Sequence, residues 1–463
     1  MSSWELGVYM HIPFCLGKCF YCDFYSVPVA GQDTERFLRA LLLELEREME
    51  DLAAKRNGWP LIKSLYVGGG TPTCLPAELL IMLLERAQEI LGIKQGIPGV
   101  KKREGTEEGE GTERRGRGEC GDRGERGERG ERGGRRERGE RGERGERGKE
   151  TPESPAGAND QETTVPEITV EANPGTLQGN KLYWMRRAGA NRLSLGVQSL
   201  HPGLLKTLGR RHTAEETWEA LREARKAGFK NIGMDLLLGL PGQTVSQWRK
   251  DLQRVAEFKP EHVSAYLLSV EPGTQFYRQQ QAGLLLLPDE DTQALLYEET
   301  VDFLAGQGYR HYEISNFARP GYECRHNLIY WENEEYLGVG PAAWSFLREG
   351  KTAVRRGNIA EVEAYCQRVE EGEETAAVRE EVSERLEMAD TVILGLRKTE
   401  GISRQRFEKR FGKNINEVYG RAIEELQKKG LLICDDDVIR LSSRGLLLAN
   451  QVWLEFLPPC GVA

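Results

Sequence analysis

The chain has 463 residues and a formal net charge of −9, enough length for two or more domains around a sizeable core. The acidic balance argues against nucleic acid as the default partner, and no apolar run approaches the roughly 20 residues that a membrane helix needs. Nine cysteines, and a start without a basic region leading into an apolar stretch, point to a reducing compartment, so a cytoplasmic globular protein is expected.

Residues 7–12 read as a strand, and Cys15, Cys19 and Cys22 follow in the frame Cys-x3-Cys-x2-Cys. Residues 34–55 read as a helix, with Phe37, Leu41, Leu45, Met49 and Leu52 on one face. The apolar run 62–67 ends in Gly68-Gly69-Gly70-Thr71-Pro72, and 75–91 is helical in pattern. A different kind of segment follows. Residues 101–150 are Lys/Arg, Asp/Glu and Gly throughout, apart from Thr106, Thr112 and Cys120. Nothing there offsets the entropy of ordering a chain, so a disordered, solvated insertion over about 95–165 is expected. Its glycine period of three lacks proline and breaks at Gly133-Gly134, which argues against a collagen-like helix.

Beyond the insertion, strand patterns at 167–171, 192–197, 231–238 and 262–268 alternate with helical ones around Leu204 and Leu221 and over 245–258. Six strands spaced by helices imply βαβ units and a parallel sheet, and six units suit a partial (β/α)6 barrel, an α/β architecture. From about Val382 the character changes. Helical patterns at 389–396, 403–411 and 415–429 precede a hairpin, 431–434 with 438–441, around Asp435-Asp436-Asp437, and 443–457 is helical again. This reads as a winged-helix-like α+β domain whose acidic tip suits an interaction or lid role better than DNA. The expected layout is a barrel over 1–300, an extension over 301–375 and a C-terminal domain over 376–463.

In parallel α/β folds the functional residues sit at the carboxyl ends of the strands. Here those ends carry the cysteines, the glycine run, Glu171-Ala172-Asn173-Pro174, Gln198-Ser199 and Glu271-Pro272-Gly273-Thr274, while the fifth strand itself contains Asp235. Three thiolates at this spacing can hold three corners of a 4Fe–4S cubane, a cluster that usually takes four, and so leave one iron open. Structural zinc with His11 as fourth ligand is the alternative, and the spacing favours the cluster. The glycines let a ligand approach the backbone closely. Glu171 and Asp235 suit a ribose hydroxyl or an ammonium group, and Arg210 and Arg211 a carboxylate. A tight turn, a polar rim and a surface salt bridge are the plainer readings of the same residues.

Taken together, Tyr9-x-His11-Ile12-Pro13-Phe14-Cys15, Gly68-Gly69-Gly70-Thr71-Pro72-Thr73, Glu171-x-Asn173-Pro174 and Gly196-Val197-Gln198-Ser199 resemble the HemN/HemW group of the radical S-adenosylmethionine superfamily. The resemblance spans residues 9 to about 457 outside the insertion. It implies a 4Fe–4S cluster on Cys15, Cys19 and Cys22, and S-adenosylmethionine contacted by Tyr9, Gly69 and Glu171. Tyr21, Gly70, Thr71, Gln198, Arg210 and Asp235 match positions lining a second cofactor site in HemN. Two departures point to the heme-chaperone branch. Cys22-Asp23-Phe24 replaces a Cys-x-Cys ending, and His326-Asn327-Leu328-Ile329-Tyr330-Trp331 is similar to a motif tied to heme binding. That implies heme on His326, with Cys324 as a competing ligand, and client hemoproteins as partners, membrane respiratory enzymes among them. A homodimer, and a peripheral position at the inner face of a membrane, stay open, and oxygen-independent coproporphyrinogen III dehydrogenation is the alternative function.

Overall fold

Alternation along six strands decides which side chains face outward. In the computed structural model, which describes residues 4–93 and 165–458, β1 (Glu5–Ile12), β2 (Leu61–Gly69), β3 (Glu167–Ala172), β4 (Arg192–Gln198), β5 (Ile232–Leu238) and β6 (His262–Leu267) pair side by side in parallel. The insertion expected over 95–165 falls outside the described residues, save its last position. On the outer face, Val8, Met10, Ile12, Leu65, Val67, Val170, Leu193, Leu195, Met234 and Val263 share one buried core with the helices. The intervening positions, Tyr66, Glu171, Arg192, Ser194, Asp235, Ser264 and Tyr266, line the interior. Period two thus produces an apolar jacket and a polar lumen.

The crossovers are helical: α1 (Thr34–Lys55), α2 (Ala77–Ile90), α3 (Lys181–Arg187), α4 (Pro202–Thr207), α5 (Ala214–Lys226) and α6 (Val245–Phe258). Their starts are chemically marked. Asp33 accepts from Arg36 N, and Thr213 with Glu216 and Thr244 with Gln247 form capping boxes.

Six further strands extend the sheet: β7 (Arg310–Glu313), β8 (Asn316–Ala318), β9 (Tyr336–Val339), β10 (Trp344–Glu349), β11 (Thr352–Asn358) and β12 (Ala376–Val382). The order is β12-β11-β10-β9-β1-β2-β3-β4-β5-β6-β8-β7, so β12 and β7 are open edges and the barrel is partial. β12 pairs antiparallel with β11, which carries the sheet past the boundary expected at 375. Glu44 of α1 fastens this extension. Its carboxylate accepts from Gly340 N and Asn358 Nδ2 at 2.7 Å, from Thr375 Oγ1 at 2.7 Å and from Tyr365 Oη at 2.5 Å.

The C-terminal part has a core of its own, with Val392, Leu396, Phe407, Ile423, Leu426, Val452 and Phe456 among its members. Helices Glu384–Gly395, Arg404–Phe411 and Ile415–Lys428 pack with a three-stranded sheet of Ile402–Ser403, Val438–Leu441 and Leu432–Cys434. The helix expected over 443–457 is two pieces, Ser443–Leu447 and Ala449–Leu454, because Leu448 leaves helical geometry at φ −112° and ψ 23°. The seven-residue helix Arg325–Trp331 joins the two parts. Its Trp331 lies 4.2 Å under the Arg397 guanidinium, which also covers Trp453 at 5.4 Å.

Candidate metal and cofactor site

β1 delivers the cysteine loop. The short strand Phe14–Cys15 pairs with Val27–Pro28 and closes residues 16–26 into a loop. Cys22 N donates to Cys19 O at 3.3 Å, and Phe20 N donates to Leu208 O at 3.1 Å, so the loop is tied both to itself and to the end of α4. Cys15, Cys19 and Cys22 are half-buried and line one cavity of about 520 Å³ that fills the barrel. Burial pushes the Cys22 thiol up to about 11 and raises that of Cys15, so metal loading has to displace protons.

A polar circuit braces the loop. Cys15 Sγ lies 3.6 Å from Thr71 Oγ1, which accepts from Asn173 Nδ2 at 2.7 Å. Asn173 Oδ1 accepts from Arg210 Nη2 at 2.5 Å, and Arg210 Nη1 donates to Cys19 Sγ at 3.6 Å. Two strand-end residues, Thr71 and Asn173, and Arg210 from the turn after α4 thus connect two of the cysteines, as supporting shells do around metal sites. Three thiols on one loop are the donor chemistry that a cluster with three protein ligands needs, although among the described residues no three Cys, His, Asp or Glu side chains are gathered closely enough to hold a metal ion. His11 does not fit the zinc alternative. Its Nδ1 is bonded with Tyr9 Oη and its Nε2 with Tyr25 O, each at 3.0 Å.

The glycine run is crowded by the protein itself. A Cβ on Gly69, whose φ is +109°, would lie 2.5 Å from the His11 ring, and one on Gly70 would lie 2.7 Å from Phe14 O. Glycine is required there so that β2 can pass behind the cysteine loop. Gly69 N also donates to Glu171 Oε2 at 3.0 Å, while Tyr66 Oη donates to Oε1 at 2.7 Å. Burial raises the Glu171 carboxyl to about 7 despite these donors. Burial likewise raises Asp235, which accepts from Ser264 Oγ at 2.7 Å and Ser194 Oγ at 3.0 Å. Gln198 stands at φ +66° beside a register shift, a conformation that side chains with a Cβ rarely adopt and that clusters at functional sites.

The cavity wall gathers Tyr21, Gly69, Gly70, Thr71, Glu171, Gln198, Arg210 and Asp235 with the three cysteines. Tyr9 is not part of that wall; its hydroxyl turns to His11 and its ring lies 6.1 Å from that of Tyr66. His326 is 1% exposed on the helix that closes the barrel floor. Ser64 Oγ bonds its Nδ1 and Tyr330 Oη its Nε2, both at 2.8 Å, and the Tyr66 ring stacks on it at 5.0 Å. Sequence reasoning did not single out Tyr66, Arg192, Ser194, Ser264 or Tyr266, all of them lumen residues. Their signal was the polar half of each alternating strand.

Comparison with known proteins bears on this site and scaffold. Residues 144–255 match the radical SAM superfamily and residues 382–448 the HemN C-terminal domain. The heme chaperone HemW of Lactococcus lactis is 33% identical over 453 residues, covering 97% of each chain. The chain belongs to the HemW family. HemW of Bacillus subtilis is 32% identical, over 97% of this chain and 99% of its own. A radical S-adenosyl methionine domain-containing protein 1, mitochondrial, from Bos taurus is 29% identical, over 98% of this chain and 88% of its own. The solved coproporphyrinogen III oxidase HemN of Escherichia coli superposes with a TM-score of 0.70, covering 98% and 90% of the two chains. Its identity is 21%, so that match speaks to the HemW fold alone.

Proposed function

We propose that this HemW-family chain is a heme carrier that binds a 4Fe–4S cluster and S-adenosylmethionine in the barrel, holds heme, and passes it to client hemoproteins, membrane respiratory enzymes among them. The observation that carries the reading is the cysteine loop opening onto a lumen ringed by Glu171, Gln198, Arg210 and Asp235. Cys15, Cys19 and Cys22 would hold the cluster, and Glu171 and Gly69 would face the nucleoside. When bound, such a cluster supplies an electron for reductive cleavage of a sulfonium. This chain's residues position the cofactor, exclude water and hold the charge beside it. Among the described residues no helix is long and apolar enough to cross a membrane, so delivery to a membrane client needs a docking step. The deciding experiment measures iron, sulfide and heme in anaerobically purified protein, then heme transfer to an apo-hemoprotein. Material that takes up no heme, or turns over coproporphyrinogen III, overturns the carrier reading.

Glu171 gives the site a pH signature. A ligand ammonium or ribose hydroxyl needs the ionised carboxylate, and its proton leaves near pH 7. Because the free site holds this proton up to about 7, affinity for S-adenosylmethionine is expected to climb with pH below 7, approaching about tenfold per unit, and to level off above it. Glu171→Gln should flatten the profile. A wild-type profile already flat between pH 5.5 and 8 removes Glu171 from the contact.

His326 is the proposed iron ligand. Burial, with Arg192 nearby, lowers its pKa to about 3, so the ring is the neutral imidazole that heme iron prefers. Ligation costs it the Ser64 or Tyr330 hydrogen bond and requires the helix to part from β2. His326→Ala is expected to alter the Soret band and leave the cluster absorption in place. An unchanged Soret band with unchanged affinity excludes this ligand.

A further inference from the structure

The floor of the barrel holds a buried cation that the machinery above does not use. Arg192, at the start of β4, is 1% exposed and lines the same cavity as the cysteines. Its Nε and Nη1 have no hydrogen-bond partner among the described residues. The neighbouring carboxylates are engaged elsewhere: Glu171 with Tyr66 and Gly69, Asp235 with Ser264 and Ser194, and Glu167 with Cys324 Sγ and His326 N.

Another unpartnered group faces the same spot. His262 is fully buried, its Nε2 is bonded with Tyr312 Oη at 2.8 Å, and its Nδ1 has no partner. Thr169 Oγ1, opposite Arg192 on β3, also has none. Gly233 of β5 keeps the spot open. A Cβ there would lie 3.2 Å from Arg192 Nη2, 3.4 Å from His262 Nδ1 and 3.5 Å from Ser194 Oγ. Tyr312 Oη already accepts from Cys324 N, and when it donates to Nε2 the imidazole proton sits on Nδ1. Guanidinium and imidazole N–H then face one point as donors, with Ser194 Oγ, whose proton goes to Asp235, beside them. Buried charge without a partner is unfavourable, and a planar guanidinium is matched best by a carboxylate.

We propose that Arg192 and His262 form a carboxylate subsite over Gly233, which receives the acid group of a molecule that enters the barrel beside the cluster. Two sources share this chemistry: the propionate of a tetrapyrrole, and the carboxylate of a methionine-type amino acid. The first source rests on the heme-carrier reading; the second does not.

The test uses full-length, cluster-loaded protein with S-adenosylmethionine saturating, titrated with heme, with heme dimethyl ester and, separately, with L-methionine. A propionate at Arg192 makes wild type favour heme over its ester by roughly 10- to 100-fold, the scale of a buried charge-assisted hydrogen bond. A methionine-type ligand instead shows saturable methionine binding. Arg192→Met is expected to abolish whichever preference is found. Gly233→Ala keeps every charge and fills the cradle, so it should do the same, and it serves if Arg192→Met does not fold. Equal binding of heme and ester with no methionine binding, or a preference that survives both variants, overturns the subsite. Loss of all heme binding with methionine binding intact overturns the carrier reading and leaves the subsite standing.

Discussion

Alanine at Cys15, Cys19 or Cys22 is expected to strip iron and inorganic sulfide from anaerobically purified protein to background and to erase its visible charge-transfer absorption. Each thiol is one of only three in the loop, and losing a ligand's supporting partner already costs roughly 10–100-fold in metal affinity at comparable sites. The fold should survive, because the loop stays tied through Phe20 to Leu208 and through the pairing of Phe14–Cys15 with Val27–Pro28. Circular dichroism separates loss of cluster from loss of structure. Cys74 also lines the cavity and serves as the internal control. Cys74→Ala should keep its iron. Full iron and sulfide in any one of the three loop variants would rule out the assigned ligand set.

Glu44→Ala is expected to be the most damaging single change outside the cysteine loop. Four donors, Gly340 N, Asn358 Nδ2, Thr375 Oγ1 and Tyr365 Oη, meet at this one carboxylate, which is buried along with Tyr365 and Thr375. Removing the acceptor leaves Gly340 N and Tyr365 Oη unsatisfied at about 1–3 kcal/mol each, while Asn358 Nδ2 keeps Gly340 O and Thr375 Oγ1 keeps Asn358 Oδ1, so a loss of about 4 kcal/mol is expected in denaturant unfolding. Glu44→Gln preserves shape but turns an amide donor toward other donors, so it should recover only part of the loss. A change below about 1 kcal/mol for Glu44→Ala would mean that these donors find other partners.

The barrel was legible where the chain alternates with helices, and the cysteine loop was legible because three thiols at fixed spacing have few other uses. The lumen was legible in principle. Arg192-x-Ser194 on β4 and His262-x-Ser264-x-Tyr266 on β6 put polar residues at every second position, but attention to strand ends passes over them. The extension was expected over 301–375, but its individual strands were not legible. β7, β8 and β9 have four, three and four residues; β7 pairs only with the short β8, and β8 and β9 join β6 and β1, which are distant in sequence, so no local periodicity announces them. The His326 motif was readable as a motif, but its burial was not. Both ring partners, Ser64 and Tyr330, are ordinary residues whose role appears only when the helix lies against β2.

That helix, from Arg325 to Trp331, is a rod about 10 Å long at 1.5 Å per residue. One end is clamped by the Arg397 stack on the C-terminal bundle, and near the other His326 presses on Tyr66, whose hydroxyl holds Glu171. Under the carrier reading proposed above, a tilt of the bundle by a docked client would therefore have a short mechanical route to the Glu171 carboxylate in the lumen. Cargo release and cofactor occupancy would then read as one linked event, with the rod as the lever between them.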